Sequence, residues 1–583
     1  MNRKQRRATL KHGPPAAGRR SGSAGDQIRQ LFFEAAECER NRKLDDAARI
    51  YKRVLLLNPD HAEAYNNLGR ILQTQGKTKE ASGYYARALA LMPQLLEQYS
   101  GICATLAALL PPLGETLRQQ AASSPNQLNA NELLGGAGLA AIAADPLLLY
   151  LLQSTPIRDV AFERVLTSLR RSLLTDAMAE TALSETALGF ACALAKQCFI
   201  NEYVFATTPA EDMQVAQLNS ALGEALNAGT AIDPAQLAAL AMYRPLQALA
   251  SAAALLDLHW TKAIDDLLTQ QLREPAEEQS LRDSIPRLTA IDDEVSQRVR
   301  QQYEENPYPR WVYAAGQVSA IPIDQYLREQ FPASVVAPFG KTGALDMLVA
   351  GCGTGQVAIA SVQKYSGVQA LAIDLSLSSL CYAKRKTPAE LAERIDYAQA
   401  DILNLASIGR SFDVIDACGV LHHMADPLQG WRILLTLLRP GGVMHLAFYS
   451  ETGRSDVVAA RSFIAERGFG STPADIRRCR QEILKSPLAS VTRFTDFFST
   501  SECRDLLFHV QESRFSLPAI KTFLTQNGLR FLGFEFNAAV ANRYRGLFAE
   551  QGWSMSDLDR WHAIESGYPD TFSGMYQFWV QKS

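Results

Sequence analysis

The stretch from Leu345 to Gln356, LDMLVAGCGTGQ, constrains this chain more than any other. Leu345, Met347, Leu348 and Val349 form a short apolar run. Such a run predicts a strand covered on both faces, as in the interior of a parallel sheet. Gly351, Gly353 and Gly355 then predict a tight turn, and a helix beginning near Gln356 would present unpaired backbone N–H groups beside it. The spacing reads GxGxG, not the GxGxxG of a dinucleotide turn, so the turn alone leaves the ligand's identity open.

The residues that follow narrow the choice. QALAIDLS is an apolar strand ending at Asp374, and a carboxylate there can accept two hydrogen bonds from ribose hydroxyls; a helix cap is the competing reading. IDYAQADI supplies another strand and then Asp401, placed to accept from an adenine amino group while Ile402 flanks the ring. FDVIDACGVLHHM is a buried strand opening into a loop at Gly419. WRILLTLLRPGGVMHLAFYS reads as a helix, a Pro440-Gly441-Gly442 turn and a fifth strand.

In this order, LVAGCGTGQ, AIDLS, AQADI, FDVIDACGVLHH and LLRPGG make residues 346–450 resemble the core of the class I S-adenosylmethionine-dependent methyltransferases. The resemblance implies an α/β, Rossmann-like domain with a seven-stranded sheet whose last strand is antiparallel. Residues 530–536 and 574–581 suit the sixth and seventh strands, leaving about 451–529 as a helical insertion or lid. S-adenosylmethionine is the implied cofactor. Its implied contacts are Tyr303, Arg310, Gly351, Cys352, Gly353, Gly355, Gln356, Asp374, Leu375, Asp401, Ile402 and Gly419. A nicotinamide enzyme is disfavoured by the glycine spacing and the lack of a clear second mononucleotide half.

Upstream, Val299 to Gly316 reads VRQQYEENPYPRWVYAAG, resembling a YxENPYPxW segment of methyltransferases that also carry tetratricopeptide repeats. Tyr303, Tyr308 and Trp311 with Glu304, Glu305 and Arg310 suit an aromatic and acidic cover over a sulfonium; a linker packed on the sheet is the alternative. His422 is the candidate base at the mouth of the fourth strand, with His423 beside it open to a packing role. In the insertion, Asp505, His509 and Glu512 are spaced to share one face of a short helix. His509 and Glu512 join His422 as catalytic candidates, a structural network being the competing reading; no metal is assigned.

From Gln27 to Met92 the chain repeats with a period of 34 residues: Ala47 aligns with Ala81, Tyr51 with Tyr85 and Pro59 with Pro93. AYNNLGR opens the second unit, and the pattern resembles the tetratricopeptide repeat. Two such units need a neighbour to cover their apolar faces, and the Ala- and Leu-rich helical stretch from about 96 to 290 is the expected one. Its cluster Arg158, Asp159, Glu163 and Arg164 reads as interhelical pairing.

The expected organisation is a flexible basic tail at 1–26, two repeats at 27–95, a helical middle domain at 96–295 and a methyltransferase domain at 296–583. Seven Lys and Arg fall in the first twenty residues, but the formal charge of -3 offers no general attraction to nucleic acid, and no DNA partner is expected. The chain has no apolar run long enough to insert in a membrane. Its nine cysteines lack metal or disulfide spacing, so a reducing cytoplasm is the expected location. The preferred activity is methyl transfer to a protein or peptide held by the repeats. The alternatives are a small-molecule N-, O- or C-methyltransferase whose repeats serve assembly as a homo-oligomer, and a noncatalytic methyltransferase-like scaffold.

Overall fold

The computed structural model describes residues 24–93, 95, 102–122, 134–313, 319–339, 343–536, 538–572 and 574–583. The basic segment 1–23 and the end of the 299–316 segment lie outside the described residues. Two compact units divide the chain, Met1–Ser100 and Gly101–Ser583, so the helical stretch and the α/β sheet belong to one unit.

In the first unit α1 (Ala24–Arg40) packs on α2 (Leu44–Leu57), and α3 (Ala62–Thr74) on α4 (Thr78–Leu91). Positions one period apart play matching parts: Ala47 and Ala81 are fully buried, as are Tyr51 and, nearly, Tyr85. A Cβ at Gly69 would come within 3.0 Å of the Tyr85 ring, so a larger residue would push α3 from α4. Helices α2 and α4 stop two residues before Pro59 and Pro93, whose rings and missing N–H groups oppose continuation.

The second unit opens with helices whose starts follow from their caps. In Asp145-Pro146, Thr208-Pro209 and Asp233-Pro234 the first side chain accepts a backbone N–H and the proline occupies the first turn, where its missing donor costs nothing. Val160–Met178 (α5), capped by Asp159, and Glu185–Ile200 (α6) form the middle of this segment, and Glu294–Glu305 (α7) leads to the sheet.

The strands are β1 (Leu345–Ala350), β2 (Val368–Asp374), β3 (Ile395–Gln399), β4 (Phe412–Ala417), β5 (Leu438–Ser450), β6 (Arg514–Phe515), β7 (Leu529–Phe534) and β8 (Met575–Lys582). Their order is β3-β2-β1-β4-β5-β8-β7, with β6 pairing β5 off this path. The first five are parallel, and β8 runs antiparallel to both β5 and β7. An eighth strand, β6, thus joins the expected seven. The strand order reverses between β1 and β4, which opens a crevice above their carboxyl ends.

Alternate residues of β1 feed opposite apolar layers, which explains its continuous hydrophobicity. Leu348 and Ala350 pack with Leu371, Ile373 and Trp431, whereas Met347 and Val349 pack with Ile359, Ala372 and Trp579. The Pro440-Gly441-Gly442 segment interrupts β5: Leu438 pairs with Phe412, Gly441 takes φ 74°, and regular pairing resumes at Val443. The extra residues are absorbed by a register shift against β4 between Phe412 and Val414.

Helix α8 (Gln356–Lys364) follows β1, and α9 (Leu377–Lys386) follows β2. The insertion after β5 contains α10 (Ser455–Arg467), α11 (Pro473–Ile483) and α12 (Thr500–Phe508), built around its own apolar cluster of Val457, Ile476, Ile483, Phe497 and Leu506. A second helical insertion, Ala538–Glu550 and Leu558–Gly567, lies between β7 and β8, where Trp561 is buried against Phe534, Tyr544 and Phe572.

The first insertion is fastened to the helical segment by charged groups. Arg480 of α11, fully buried, pairs with both oxygens of Glu163 on α5 at 3.1 and 2.7 Å and donates to the carbonyls of Val204 and Phe497. Arg158 reaches Glu502 at 3.2 Å. At the start of α12, Ser501 N donates to Glu202 Oε2 at 2.5 Å and Thr500 N to the Asn201 carbonyl at 3.2 Å. Of the expected pairing cluster, Glu163 and Arg158 pair with the insertion, whereas Asp159 caps its own helix by accepting from Phe162 N.

Candidate active site

The glycine turn is stitched to the end of β2. Gly351 N and Cys352 N both donate to the Ile373 carbonyl at 2.9 Å, and Gly353 N donates to Asp374 Oδ2 at 2.8 Å. Ser376 N donates to the other Asp374 oxygen at 2.9 Å. Gly351 (φ 72°) and Gly353 (φ 51°) occupy left-handed conformations, and a Cβ there would strike Val420 at 2.5 Å or the Tyr308 carbonyl at 2.7 Å. Each oxygen of Asp374 thus holds one backbone N–H and keeps a lone pair for a further donor. Burial raises the pKa of this carboxyl, and the bonds from Ser376 and Gly353 pull it back.

Asp401 follows β3. Its Oδ1 accepts from Leu403 N at 2.9 Å, while the buried Oδ2 has no hydrogen bond of ordinary geometry within the protein. A buried acceptor left this way costs free energy unless a donor, from a ligand or from the Ser296 hydroxyl, reaches it. Burial raises its pKa as well, partly opposed by Leu403 N and the Ser296 hydroxyl.

One cavity joins these groups. Gly351, Cys352, Gly353 and Gln356 form one side; Asp374 and Leu375, then Asp401 and Ile402, form the floor; Gly419 and His423 stand at the end of β4. Ser296, Val299 and Tyr303 of α7, with Tyr308 and Pro309, close the top.

The cover is clamped rather than loose. Trp311 Nε1 donates to the Thr354 carbonyl at 3.2 Å, and Thr354 Oγ1 donates to the Pro309 carbonyl at 2.5 Å. Tyr382 donates to the Trp311 carbonyl. Glu304 accepts from Leu377 N and Ser378 Oγ, both at 2.6 Å, and so caps α9 while pairing with Arg282 at 3.0 Å. The segment read as either a cover or a linker does both jobs: Tyr303 and Tyr308 line the cavity, and Glu304 and Trp311 pin them down.

The wall facing the insertion is a chain of polar groups. Tyr303 donates to Asp505 Oδ1 at 2.6 Å and meets His509 Nε2 at 3.2 Å. His509 Nδ1 accepts from Gln511 N at 3.0 Å, so in the neutral ring the proton sits on Nε2 and points at Tyr303. His423 stacks on His509 with ring centroids 3.6 Å apart, and its Nδ1 contacts the Gln511 carbonyl at 2.9 Å. His423, Asp505 and His509 could hold a cation by proximity, yet the His509 nitrogen facing Asp505 carries a proton instead of the lone pair a metal needs. Burial lowers the pKa of His422, His423 and His509.

Ten of the expected cofactor residues therefore line the cavity, and two lie elsewhere. Arg310 turns away to Glu202 at 3.6 Å and stacks over Phe199, 4.9 Å from the ring centroid. Gly355 faces Ala383 of α9, where a Cβ would clash at 2.5 Å. Among the catalytic candidates, His422 is fully buried with Nδ1 against the Ala447 carbonyl at 3.3 Å. His509 stands behind Tyr303 and His423. Glu512 pairs with Arg454 at 2.7 Å. Asp505, His509 and Glu512 do not share a helix face, because α12 ends at Phe508, His509 caps it and Glu512 lies beyond. Ser296 and Val299 were not anticipated; with Tyr303 they form an i, i+3, i+7 stripe that helical periodicity would have exposed.

Residues 348–444 match the methyltransferase-domain family, and residues 40–106 the tetratricopeptide-repeat family. A methyltransferase-fold domain and a tetratricopeptide-like region share this chain. An uncharacterised Synechococcus protein is 28% identical over 267 residues, which cover 42% of this chain and 61% of that relative. The ubiquinone biosynthesis O-methyltransferase of Parvibaculum lavamentivorans is 31% identical over 140 residues, or 23% of this chain and 53% of the relative. The chain thus spans about three fifths and about half of the lengths of these relatives. Among solved structures, PKMT2 from Rickettsia typhi aligns over 45% of this chain and 54% of its own at 15% identity, with a TM-score of 0.33. A likeness at that level bears on neither cofactor nor acceptor.

Proposed function

We propose that the second unit transfers a methyl group from S-adenosylmethionine to a nucleophilic atom of a protein or peptide. The observation that carries the cofactor reading is the stranded Asp401 Oδ2 in the same cavity as the half-used Asp374 carboxylate and the glycine turn. The stranded oxygen suits an adenine amino donor, with Ile402 and Leu375 against the ring. The spare lone pairs of Asp374 suit ribose hydroxyls, and Gly351 and Gly353 leave room for the methionine portion. When bound, the cofactor supplies a methyl carbon on a sulfonium sulfur, an electrophile that needs alignment more than activation. Tyr303 and Tyr308 present aromatic faces to that charge and exclude water.

A protein or peptide acceptor is supported by the repeat-family match, because repeat surfaces commonly engage macromolecules. A small-molecule acceptor is the second reading, favoured by the tight cover of Tyr303, Tyr308 and Pro309 and by relatives named for quinone methylation.

Calorimetry with S-adenosylhomocysteine tests the cofactor reading; no binding by the intact protein would overturn it. Labelled S-adenosylmethionine incubated with fractionated cell extract then separates the acceptor classes by which fraction gains label.

A further inference from the structure

We infer that His423, not His422, is the base that takes a proton from the methyl acceptor, and that the acceptor is therefore an O–H or N–H nucleophile. The inference rests on the cofactor reading above. His423 lines the cavity, whereas His422 is fully buried beside it with its ring 4.0 Å from that of Tyr449.

Hydrogen bonding sets the tautomer. A carbonyl oxygen can only accept, so the 2.9 Å contact with the Gln511 carbonyl places the proton of neutral His423 on Nδ1 and leaves a lone pair on Nε2. Among the described residues Nε2 has no hydrogen-bond partner; Asp505 Oδ1 lies 3.9 Å away. Such a nitrogen is ready to accept a proton and has a carboxylate near enough to stabilise the imidazolium that results.

Asp505 is itself held in place. Its Oδ1 accepts a hydrogen bond from the Tyr303 hydroxyl at 2.6 Å, and the Tyr303 oxygen meets the protonated Nε2 of His509. The chain from His509 through Tyr303 to Asp505 is satisfied at every step, so it fixes the carboxylate without taking the proton from His423. His509 and Asp505 are positioning residues here. The titratable or charged neighbours are His422, His509, Tyr449, Arg454, Asp505 and Glu512; burial, with Arg454, lowers the His423 pKa, and Asp505, the Gln511 carbonyl and Glu512 oppose it.

The proton balance follows. The acceptor's lone pair forms the bond to the methyl carbon, the carbon–sulfur bonding pair stays on sulfur, and the acceptor's proton moves to His423 Nε2 and from there to solvent.

The test is nitrogen NMR of the full chain with ¹⁵N-labelled histidine, the signals assigned with H422Q and H423Q. Sinefungin carries an ammonium where the donor carries its methyl-sulfonium, and S-adenosylhomocysteine carries neither. His423 should read as the Nδ1–H tautomer, and sinefungin should lower its titration midpoint by about one pH unit relative to the S-adenosylhomocysteine complex. Asp505→Asn should lower the midpoint in the free protein as well. An Nε2–H tautomer, or binding of both compounds without a difference at His423, overturns the inference while leaving the cofactor reading intact. Failure of both compounds to bind overturns the inference and the cofactor reading together. For the extract fraction that gains label, the rate should rise with pH through the His423 midpoint measured by NMR and shift with it in Asp505→Asn; a rate flat across that midpoint also overturns the assignment.

Discussion

The two sides of the cavity are built on opposite principles. The side formed by β1, β2 and β3 is local: Asp374 is held by Gly353 N and Ser376 N, Asp401 by Leu403 N, and each retains acceptor capacity. The side facing the insertion is assembled across long sequence distances, with Tyr303, Asp505 and His509 spending their hydrogen bonds on one another or on backbone and His423 holding the Gln511 carbonyl through Nδ1. That wall hangs from α12, whose first turn is held by Asn201 and Glu202, and from α11 through Arg480 and Glu163. A local site can be altered without unfolding its surroundings, whereas a suspended wall stands or falls with its supports.

The contrast is broken most forcefully at the support. Arg480→Ala strands the buried Glu163 carboxylate and should cost about 3–5 kcal/mol in urea or thermal unfolding. A loss close to that of a surface charge would mean that the wall is carried by its apolar cluster instead.

On the local side, Asp374→Ala and Asp401→Ala should each weaken S-adenosylhomocysteine binding by roughly ten- to a hundredfold in calorimetry, the worth of about 1.5–3 kcal/mol for a hydrogen bond to a charged group. Glu512→Gln should leave that affinity unchanged, since Glu512 serves Arg454. Equal losses in all three variants would erase the distinction between the sides.

The wall should also carry a pH signature. Burial holds His422, His423 and His509 below the usual value of 6.5, so under that pH the unfolded chain binds more protons than the folded one. Their contribution is fully present above the unfolded pKa and is lost as pH falls through the folded one. The melting temperature of His422→Gln should therefore decline less than that of the parent between pH 7.5 and 5.

Glu502 gives the opposite sign. Burial lifts its pKa to about 7, above the unfolded value of 4.5, so the folded state loses ground as pH rises across that window. The melting temperature of Glu502→Gln minus that of the parent should grow more positive from pH 5 to 8.

Legibility in the sequence follows the same division. The strand, glycine turn, Asp374 and Asp401 are readable because each depends on neighbours within a few residues, and a 34-residue period shows wherever Ala47 and Tyr51 recur as Ala81 and Tyr85. Arg310 was misplaced because a charged residue beside aromatics reads alike whether it faces a ligand or stacks on Phe199. Asp505, His509 and Glu512 suggested one helix face, but spacing does not reveal that α12 stops at Phe508.

The amino-acid sequence by itself determined the parallel core, the repeat helices and the acids at the strand ends, because backbone propensity, apolar periodicity and turn chemistry act over short separations. Only the tertiary structure decided which histidine faces the cavity, which nitrogen bears its proton, and that the opposite wall is suspended from the helical segment. Those outcomes rest on contacts between residues hundreds of positions apart, such as Glu163 with Arg480 and Tyr303 with Asp505, which no local pattern encodes.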